Sequence, residues 1–499
     1  MARNLIRVFA AAAAWTLAAA GPTSRRPLVW GVDLGNDNIV MSVASRNGVD
    51  VVTNDVSGRQ TPSAVYFAGN HRLIGEHTTG HAGGNPCNLV HHVKSLLMDG
   101  DEPDEDKDGP EDGDGNHDGK DDHGSVSRYR SPQATDAPAA IDSSGDASSP
   151  STSTAVEPKF FCETRRGGGG GDGGPRLAVV RHMGQELELG ASEVISYLLR
   201  HCAELVTREA AGAVRKGEEA TATAGATATT TTTTATSCVV ASVPSFFSLR
   251  QRRAVLDAAT IAGVPMPLVV DQGTAVALAY GILGGGAAPT ASVACNKGRC
   301  GAPNDCHPFF LGVIPRATPM VTVASFNEAG LQVLGRGCAK KGGTAAAEAR
   351  MYDRICRTAR RGIAVEGRPR AEFRLAKALT SAIKTLSANQ EARLSVECID
   401  GDKDLSMTLT REEVEEACSG VAAGVSKACR EALLAAGVVA EDVHAVELLG
   451  GGSYIPLLRR SVESTFGRDR VRRTMSSSES VARGCALAAA QHSSVFKLR

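Results

Sequence analysis

Four low-complexity blocks interrupt the chain, and they limit where a hydrophobic core can form. They cover residues 99–158, 167–174, 221–236 and 284–307 and are rich in Asp, Ser, Pro, Ala, Gly and Thr. Although 42% of all residues are hydrophobic, segments of this composition cannot bury enough apolar surface to offset the entropy lost on ordering. We therefore expect flexible inserts at these places, with the core built from the residues between them.

Charge and composition exclude several classes of function. The formal net charge is −1 and aromatic residues make up 4% of the chain, so neither a basic field nor stacking platforms favour nucleic acid or an acidic membrane surface. The 13 cysteines are scattered and odd in number, which fits poorly with a disulfide framework. Their one tight group, Cys295, Cys300, Cys306 and His307, lacks the paired spacing of structural zinc sites, so a loop with reduced thiols is favoured.

Residues 1–27 have the pattern of a targeting segment. Arg3 and Arg7 precede an apolar run over residues 8–20 that ends in small residues. This pattern is typical of a secretory signal, while a transit peptide and an Ala-rich disordered tail are the alternatives. We expect the lumen of the endoplasmic reticulum or another organelle if the segment is a signal, and the cytoplasm otherwise. No other stretch is apolar enough for a transmembrane helix, so we expect the mature chain to have no membrane partner.

Between the blocks, the apolar periodicity alternates between strands and helices. Two β-rich runs at residues 29–32 and 39–43 flank a Gly-Asn-Asp-Asn turn and predict a hairpin. Ser248 and Gln251 form a capping box that predicts a helix start, and Gly263 predicts its end. Further strands are predicted at residues 238–243, 268–270 and 446–449, and further helices at 274–280, 457–466 and 480–491. This alternation, with glycine at strand ends, predicts an α/β domain.

Three features of this pattern indicate a nucleotide site. Asp33 lies at a strand end before Gly35, where a carboxylate can hold a metal–water shell. Gly342 and Gly343, and the glycine run 450–452, predict turns whose N–H groups can approach phosphate without a Cβ in the way. Each turn alone is a weak signal, since most glycine turns are only tight turns.

Taken in order, the motifs of this chain resemble those of the heat-shock protein 70 superfamily. The matching segments are GVDLG at 31–35, NDVSGRQTPS at 54–63, SVPSFF at 242–247, RQRR at 250–253, TAVALAYG at 274–281 and LLGGGSYIP at 448–456. The segments SVARGCAL at 480–487 and VFKLR at 495–499 resemble the 110-kilodalton branch in particular. The resemblance covers nearly everything from residue 28 onward outside the low-complexity blocks.

The resemblance implies an α/β fold of the actin-like, ribonuclease H-like type with low-complexity insertions, in which two lobes enclose ATP or ADP with Mg²⁺. Lobe I is expected over residues 28–283, including the disordered insert 99–158 and the Thr/Ala tract 221–236. Residues 284–307 form a flexible insert, and residues 308–499 supply the second phosphate strand, lobe II and the closing helix. The superfamily's peptide-binding domain would begin where this sequence stops, so we expect no substrate-binding domain.

The resemblance also assigns roles to residues that match its motifs. Asp33 is implied to hold Mg²⁺ indirectly through water, and Lys94 to aim the attacking water. The groups implied to contact the nucleotide are Gly35, Asn36, Asp37, Thr318, Gly342, Gly343, Lys384, Ser387, Gly450, Gly451 and Gly452. Taken alone, Lys94, Lys384 and Ser387 are also compatible with ordinary polar positions on helices.

Several positions depart from the superfamily pattern and weaken the expected chemistry. By register with the strand that follows, Val313 stands where the second phosphate loop has a carboxylate, and Pro315 stands where a backbone donor is needed. Asn36 and Asp37 replace paired threonines, and Gln272 replaces a glutamate. On the adenosine side, a glutamate, a lysine and an arginine are replaced by Thr380, Ile383 and Tyr454.

These departures predict weak or lost binding of ATP/ADP with Mg²⁺ and negligible turnover, because phosphoryl transfer depends on positioning and charge neutralisation. The hypothesis we favour is a non-catalytic chaperone-like module. It would act as a partner or exchange-factor-like regulator of a conventional heat-shock protein 70 chaperone, as the 110-kilodalton branch does. An active ATP-dependent folding chaperone and an inactive truncated remnant are the alternatives.

Overall fold

The computed structural model describes residues 27–98, 162–166, 175–222, 235–283, 307–313, 318–327, 330–339, 343–359, 362–494 and 496. All of these residues belong to one compact unit of the chain. The predicted inserts 99–158 and 167–174 lie outside the described residues, as do most of 221–236 and 284–307 and the extension before residue 27.

Strands and helices alternate through the described residues. The strands are β1 Pro27–Leu34, β2 Asn38–Ser45, β3 Gly48–Val51, β4 Thr61–Pro62, β5 Ala64–Ala68, β6 His71–Ile74, β7 Leu89–His91, β8 Glu163–Arg166, β9 Arg176–His182, β10 Gln185–Leu189, β11 Ala235–Val243, β12 Leu268–Asp271, β13 His307–Val313, β14 Met320–Asn327, β15 Gly330–Cys338, β16 Glu391–Asp400, β17 Lys403–Thr410, β18 Ala445–Leu449 and β19 Val471–Arg472. The helices are α1 Thr78–Ala82, α2 Val93–Met98, α3 Ala191–Ala222, α4 Leu249–Ala262, α5 Gln272–Leu283, α6 Thr344–Ala359, α7 Pro369–Leu386, α8 Arg411–Ala417, α9 Ser419–Ala436, α10 Pro456–Phe466 and α11 Ser480–His492.

β1 is the central strand of the first sheet and is buried along most of its length. Its sequence, PLVWGVDL, is apolar without alternation, as expected of a strand covered on both faces. β2 returns antiparallel beside it, with Leu34 paired to Ile39, which confirms the predicted hairpin. A Cβ on Gly35 would lie 2.0 Å from the carbonyl oxygen of Asn38, so this turn accommodates only glycine.

Two mixed sheets share one topology. The first runs in the order β3-β2-β1-β11-β12, with β4 also paired to β2, and the second runs in the order β15-β14-β13-β18-β19. In each, three antiparallel strands are followed by two parallel ones. Two such sheets are expected of the actin-like fold predicted from the motifs, and we refer to the first sheet with its helices as lobe I and to the second as lobe II.

Helices bury the apolar faces of both sheets. In lobe I, Trp30 of β1 is fully buried in a core that includes α3 and α4. In lobe II, Met351 of α6 and Leu375 of α7 occupy the corresponding core. A third cluster contains residues of both sheets together with α5 and α11. These two helices cross so closely that a Cβ on Gly484 would lie 1.7 Å from the carbonyl oxygen of Ala275.

The capping box predicted for α4 is confirmed atom by atom. The Ser248 hydroxyl accepts from the backbone N–H of Gln251 at 3.3 Å, and the Gln251 side chain accepts from the N–H of Ser248 at 2.9 Å. Gly263 ends the helix in the left-handed conformation, at φ 70°. These contacts involve residues only three apart, so they depend on local sequence alone.

Long-range pairing extends regular structure into stretches predicted as inserts. β1 begins at Pro27, which pairs with Ala235 of β11. β13 begins at His307, which pairs with Phe326 of β14. α3 and β11 therefore both reach into the tract 221–236, and β13 takes the last residue of the fourth block. In β11 and β13 a neighbouring strand pairs with these residues, and no local sequence signal predicts that pairing. In α3 the helix continues two residues into the tract.

Two further observations concern the predicted absence of membrane spans and disulfides. Among the described helices, none has both the length and the apolarity required to cross a bilayer. No disulfide joins the cysteines of the described ranges. Cys295, Cys300 and Cys306 lie outside those ranges.

Candidate functional site

Asp33 lies where three elements of lobe I meet. It is the last residue of β1 to pair with β11, opposite Ser242. The Ser242 hydroxyl donates to Oδ1 of Asp33 at 2.5 Å, and Nε2 of Gln272, the first residue of α5, donates to the same oxygen at 3.1 Å. The carboxylate is thus oriented by β11 and α5. Ser242 belongs to the matching segment SVPSFF, but its role depends on a contact 209 residues away in sequence.

Lys94 is brought to the same place by α2. The side chain is half-buried, and burial lowers the pKa of its ammonium group while the Asp33 carboxylate opposes that shift. Cys485 of α11 packs against the same strand, since a Cβ built on Gly31 of β1 would lie 2.6 Å from the Cβ of Cys485. Burial raises the pKa of its thiol well above the usual value, and Asp33 adds to that effect. Lys94 also lines one small cavity with Gly35 and Ser242, the residue whose hydroxyl donates to Asp33, so the structure places Lys94 on the same side of lobe I as Asp33.

The side chains of the Asn36–Asp37 turn contact His92, a residue that was not predicted from the sequence. Nδ1 of His92 lies 3.2 Å from Nδ2 of Asn36 and 3.3 Å from Oδ1 of Asp37. His92 is buried and has a positive φ of 55°. It directly precedes α2, so it links the Asn36–Asp37 turn to the helix that carries Lys94. The only sequence signal that could have indicated a role for His92 is its position immediately before Val93, the first residue of α2.

The predicted phosphate contacts in lobe II are described in part. Thr318 is buried, 3% exposed. Gly343 is also buried and precedes α6, and its carbonyl accepts from the N–H of Ala346 at 3.1 Å. Gly342 and residues 314–317, which include Pro315, lie outside the described residues.

The predicted adenosine side consists of two separate features. Lys384 is exposed in the last turn of α7, and the hydroxyl of Ser387, the residue that caps this helix, donates to its carbonyl at 2.7 Å. Gly450, at φ 84°, ends β18 and opens a 3₁₀ turn. A Cβ on Gly451 would meet nothing within 4 Å, so this backbone is open to a ligand, whereas Gly452 is buried.

Tyr454, which the motif comparison predicts to stand in place of a superfamily arginine, contacts an arginine of this chain. The ring is half-exposed, and the guanidinium carbon of Arg473 lies 4.9 Å from its centre. Cation–π contacts at exposed sites are worth about 0.5–1 kcal/mol. Arg473 therefore places a planar cation next to Tyr454, the position at which the motif comparison predicts an arginine in the superfamily.

A cavity of about 550 Å³ lies between the Asn36–Asp37 turn and lobe II. Its lobe I wall includes Asn36, Asp37 and His92, and its lobe II wall includes Glu348 and Thr380. The Thr380 hydroxyl donates to Oε2 of Glu348 at 3.4 Å. The volume lies in the range of small-molecule sites in proteins. Thr380 and the Asn36–Asp37 turn, both predicted from the motifs to depart from the superfamily pattern, thus line one cavity.

Comparison with known proteins places this geometry in a family. The family profile described as "Hsp70 protein" matches residues 29–107 and 221–499, which include β1, the glycine turn after β18 and α11. The chain belongs to the Hsp70 family. The prediction from the motifs is thereby confirmed, together with the likeness to the 110-kilodalton branch. Hsp70 domains of this actin-like fold bind ATP or ADP with Mg²⁺.

Three relatives show how far the similarity extends. The chain is 28% identical to heat shock 70 kDa protein 16 of Arabidopsis thaliana, 27% to heat shock protein hsp88 of Neurospora crassa and 26% to a heat shock protein homolog of Saccharomyces cerevisiae. Each match covers 94% of this chain and 51%, 55% and 56%, respectively, of the relative. The chain therefore spans about half the length of these curated relatives.

Proposed function

We propose that this chain is a chaperone-family module that binds Mg²⁺–ATP weakly, hydrolyses it little, and regulates a conventional Hsp70 chaperone as a partner or exchange-factor-like protein. Its place in the Hsp70 family supports a chaperone role. The weak nucleotide chemistry rests on the residues at the strand ends.

The observation that carries the proposal is a comparison of the two central strands. In the first sheet, the last parallel pair of the central strand is Asp33 with Ser242. In the second sheet, the last parallel pair is Val313 with Leu449. The same topology therefore ends in a carboxylate in lobe I and in a valine in lobe II. Valine has no oxygen with which to hold the water shell of a metal ion.

The remaining residues fit a nucleotide only in part. Both hydrogen bonds to Asp33 go to Oδ1, so Oδ2 would face a metal-bound water, and Lys94 would lie near the γ-phosphate. Bound Mg²⁺ would neutralise charge on the transferred phosphoryl group. Gln272 supplies an amide to Asp33 where the family has a second acid, and Asp37 adds a negative charge to the turn. These groups favour binding without efficient hydrolysis.

Binding can be tested by titrating ATP into the chain by calorimetry, with and without Mg²⁺. We expect a measurable Mg²⁺-dependent affinity weaker than that of a conventional Hsp70, and loss of that affinity in Lys94→Ala. Affinity and turnover equal to those of a conventional Hsp70 would instead identify an active ATP-dependent chaperone. If the chain binds no ATP at all, the proposed weak nucleotide binding is wrong, and any regulation of a conventional Hsp70 would depend only on surface contacts with that protein.

Restoring the missing carboxylate tests the reason for weak binding. Val313→Asp should increase Mg²⁺-dependent ATP affinity by about tenfold or more, because one charge-assisted contact to the metal–water shell is worth about 1.5–3 kcal/mol. The matched control is Val313→Asn, because asparagine has nearly the same shape as aspartate but carries no charge. Equal affinities for the two variants would show that the missing charge is not the cause.

The partner role can be tested on a conventional Hsp70 loaded with a fluorescent ADP analogue. Adding the chain should accelerate release of the analogue, and the two proteins should co-elute in gel filtration. An unchanged release rate without co-elution would contradict the partner role and favour an inactive remnant.

We also infer that residues 1–27 direct the chain to an organelle. The basic residues followed by an apolar run support this inference. Fusion of this segment to a fluorescent protein tests it, and diffuse cytoplasmic fluorescence would contradict it.

A further inference from the structure

A cluster of metal-ligating side chains lies in lobe I among residues to which the nucleotide site assigns no role. It consists of Asp55, in the connection from β3 to β4, and of Glu76 and His77, in the 3₁₀ turn after β6. Nε2 of His77 lies 3.1 Å from Oδ2 of Asp55 and 3.9 Å from Oε1 of Glu76. One ligand atom from each residue lies within 4.8 Å of the others.

Two buried atoms beside this cluster have no hydrogen-bond partner in the described part of the chain. They are Oε2 of Glu76, whose side chain is 8% exposed, and Nε2 of His201 on α3, which is 9% exposed. A buried polar atom without a partner costs about 1–3 kcal/mol, so native proteins rarely leave one unless a water or an ion binds there. Each of these two atoms carries a lone pair that can bind a metal ion, and neither has a hydrogen-bond partner among the described residues.

His201 lies beside the turn that carries Glu76 and His77. Its Nε2 would lie 3.4 Å from a Cβ built on Gly75, the residue that precedes Glu76. Burial lowers the pKa of His201, while the charges of Glu76 and Asp55 oppose that shift.

We propose that Asp55, Glu76, His77 and His201 form a binding site for a divalent transition metal, with Zn²⁺ as the preferred ion. Two imidazoles and two carboxylates suit Zn²⁺ better than Ca²⁺ or Mg²⁺, which take mainly oxygen ligands. Zn²⁺ lies about 2.0–2.2 Å from such atoms, so ligands that share it are about 3–4 Å apart. The separations among Asp55, Glu76 and His77 require only small side-chain movements, whereas the imidazole of His201 has to move farther to join them.

The positively charged side chain of Arg208, on α3, already forms an ion pair with the cluster. Its Nη1 pairs with Oδ1 of Asp55, while Oδ2 of Asp55 faces His77. A metal can therefore use Oδ2 without breaking the arginine pair.

The bound ion would join three segments of lobe I that are distant in sequence. It would connect the loop before β4, the turn after β6, and α3. Because a preformed site is absent from the unfolded chain, binding would add directly to the stability of the lobe. This site is independent of the proposed nucleotide chemistry.

Calorimetric titration tests the site with Zn²⁺ alone. The chain is first treated with a chelator, and its accessible thiols are alkylated so that cysteines cannot bind the ion. We expect one Zn²⁺ per chain and a higher melting temperature. Asp55→Asn and His77→Ala should each weaken binding by about 100-fold or more, since even loss of a group that only orients a ligand costs about 10–100-fold. His71→Ala, an exposed histidine of β6, is the matched control and should change nothing.

Cobalt substitution shows which atoms bind the ion. Co²⁺ should give d–d absorption without a thiolate-to-metal charge-transfer band, and His201→Gln should alter that absorption. His77 is half-exposed, so His77→Ala keeps the test valid if the buried His201 variant fails to fold. Lack of binding to the alkylated chain, unchanged affinity in Asp55→Asn, or a thiolate band would each overturn the proposal.

Discussion

Replacing Gln272 by glutamate places a second acid against Asp33 and tests the geometry of the site. The Gln272 amide donates to Oδ1 of Asp33 at 3.1 Å, and its side chain is buried. In Gln272→Glu this donor becomes a carboxylate at the same distance. Two unit charges so close repel by about 5 kcal/mol at an effective dielectric constant of about 20.

Protonation limits the cost of this repulsion. A carboxyl group with an ordinary pKa of about 4.3 can take up a proton at pH 7.5 for about 4 kcal/mol, since each pH unit costs about 1.36 kcal/mol. We therefore expect Gln272→Glu to lower the free energy of unfolding by about 2–4 kcal/mol at pH 7.5, with Lys94 reducing the penalty. The new carboxyl has a raised pKa in the folded state. The penalty is therefore absent below about pH 4.3 and grows as the pH rises toward the folded-state value.

Urea unfolding at pH 5 and pH 7.5 measures this effect, and the fluorescence of Trp30, buried in the same strand as Asp33, reports it. Gln272→Met is the control, because it loses the hydrogen bond without adding charge and should show a pH-independent cost of about 1.5–3 kcal/mol. A Gln272→Glu chain as stable as the wild type at pH 7.5, or equally destabilised at both pH values, would refute the assigned contact.

Three further predictions concern the fold. Ser248→Ala should lower the free energy of unfolding by about 1 kcal/mol through loss of the helix cap, and an unchanged urea midpoint would contradict the capping box. Gly484→Ala should cost about 3 kcal/mol, because the new Cβ would meet the carbonyl of α5; a neutral effect in thermal denaturation would show that the helices are farther apart. In the native chain, iodoacetamide should label the exposed Cys87 and Cys398 but leave Cys485 unmodified, since burial raises the pKa of its thiol well above the usual value. Mass spectrometry reads the labelled positions, and rapid modification of Cys485 would contradict its placement.

The parts of the fold that depend on near neighbours could be predicted from the sequence. The hairpin around Gly35 and the cap at Ser248 each involve residues a few positions apart, where turn and capping chemistry decide the conformation. The family motifs supplied the two-lobed arrangement, which periodicity alone does not contain. Glycine turns could be placed at strand ends, but their approach to a ligand depends on the neighbouring elements.

Contacts between distant segments could not be predicted in this way. Ser242 reaches Asp33, and His92 joins the Asn36–Asp37 turn, only because β11 and α2 are placed beside β1 by the assembled sheet. The repetition of one strand order in both sheets is likewise a property of long-range pairing. The same limit hid the histidine of α3 beside Glu76, since 125 residues separate them in sequence.

Single-turnover hydrolysis of ATP by an excess of the purified, folded chain with Mg²⁺ tests the central claim most directly. Loss of one well-placed electrostatic group typically costs about 10²–10³-fold in rate, so product should form at least about 100-fold more slowly than with a conventional Hsp70 under the same conditions. A rate equal to that of the conventional chaperone would contradict the conclusion that the valine at the end of β13 disables the site.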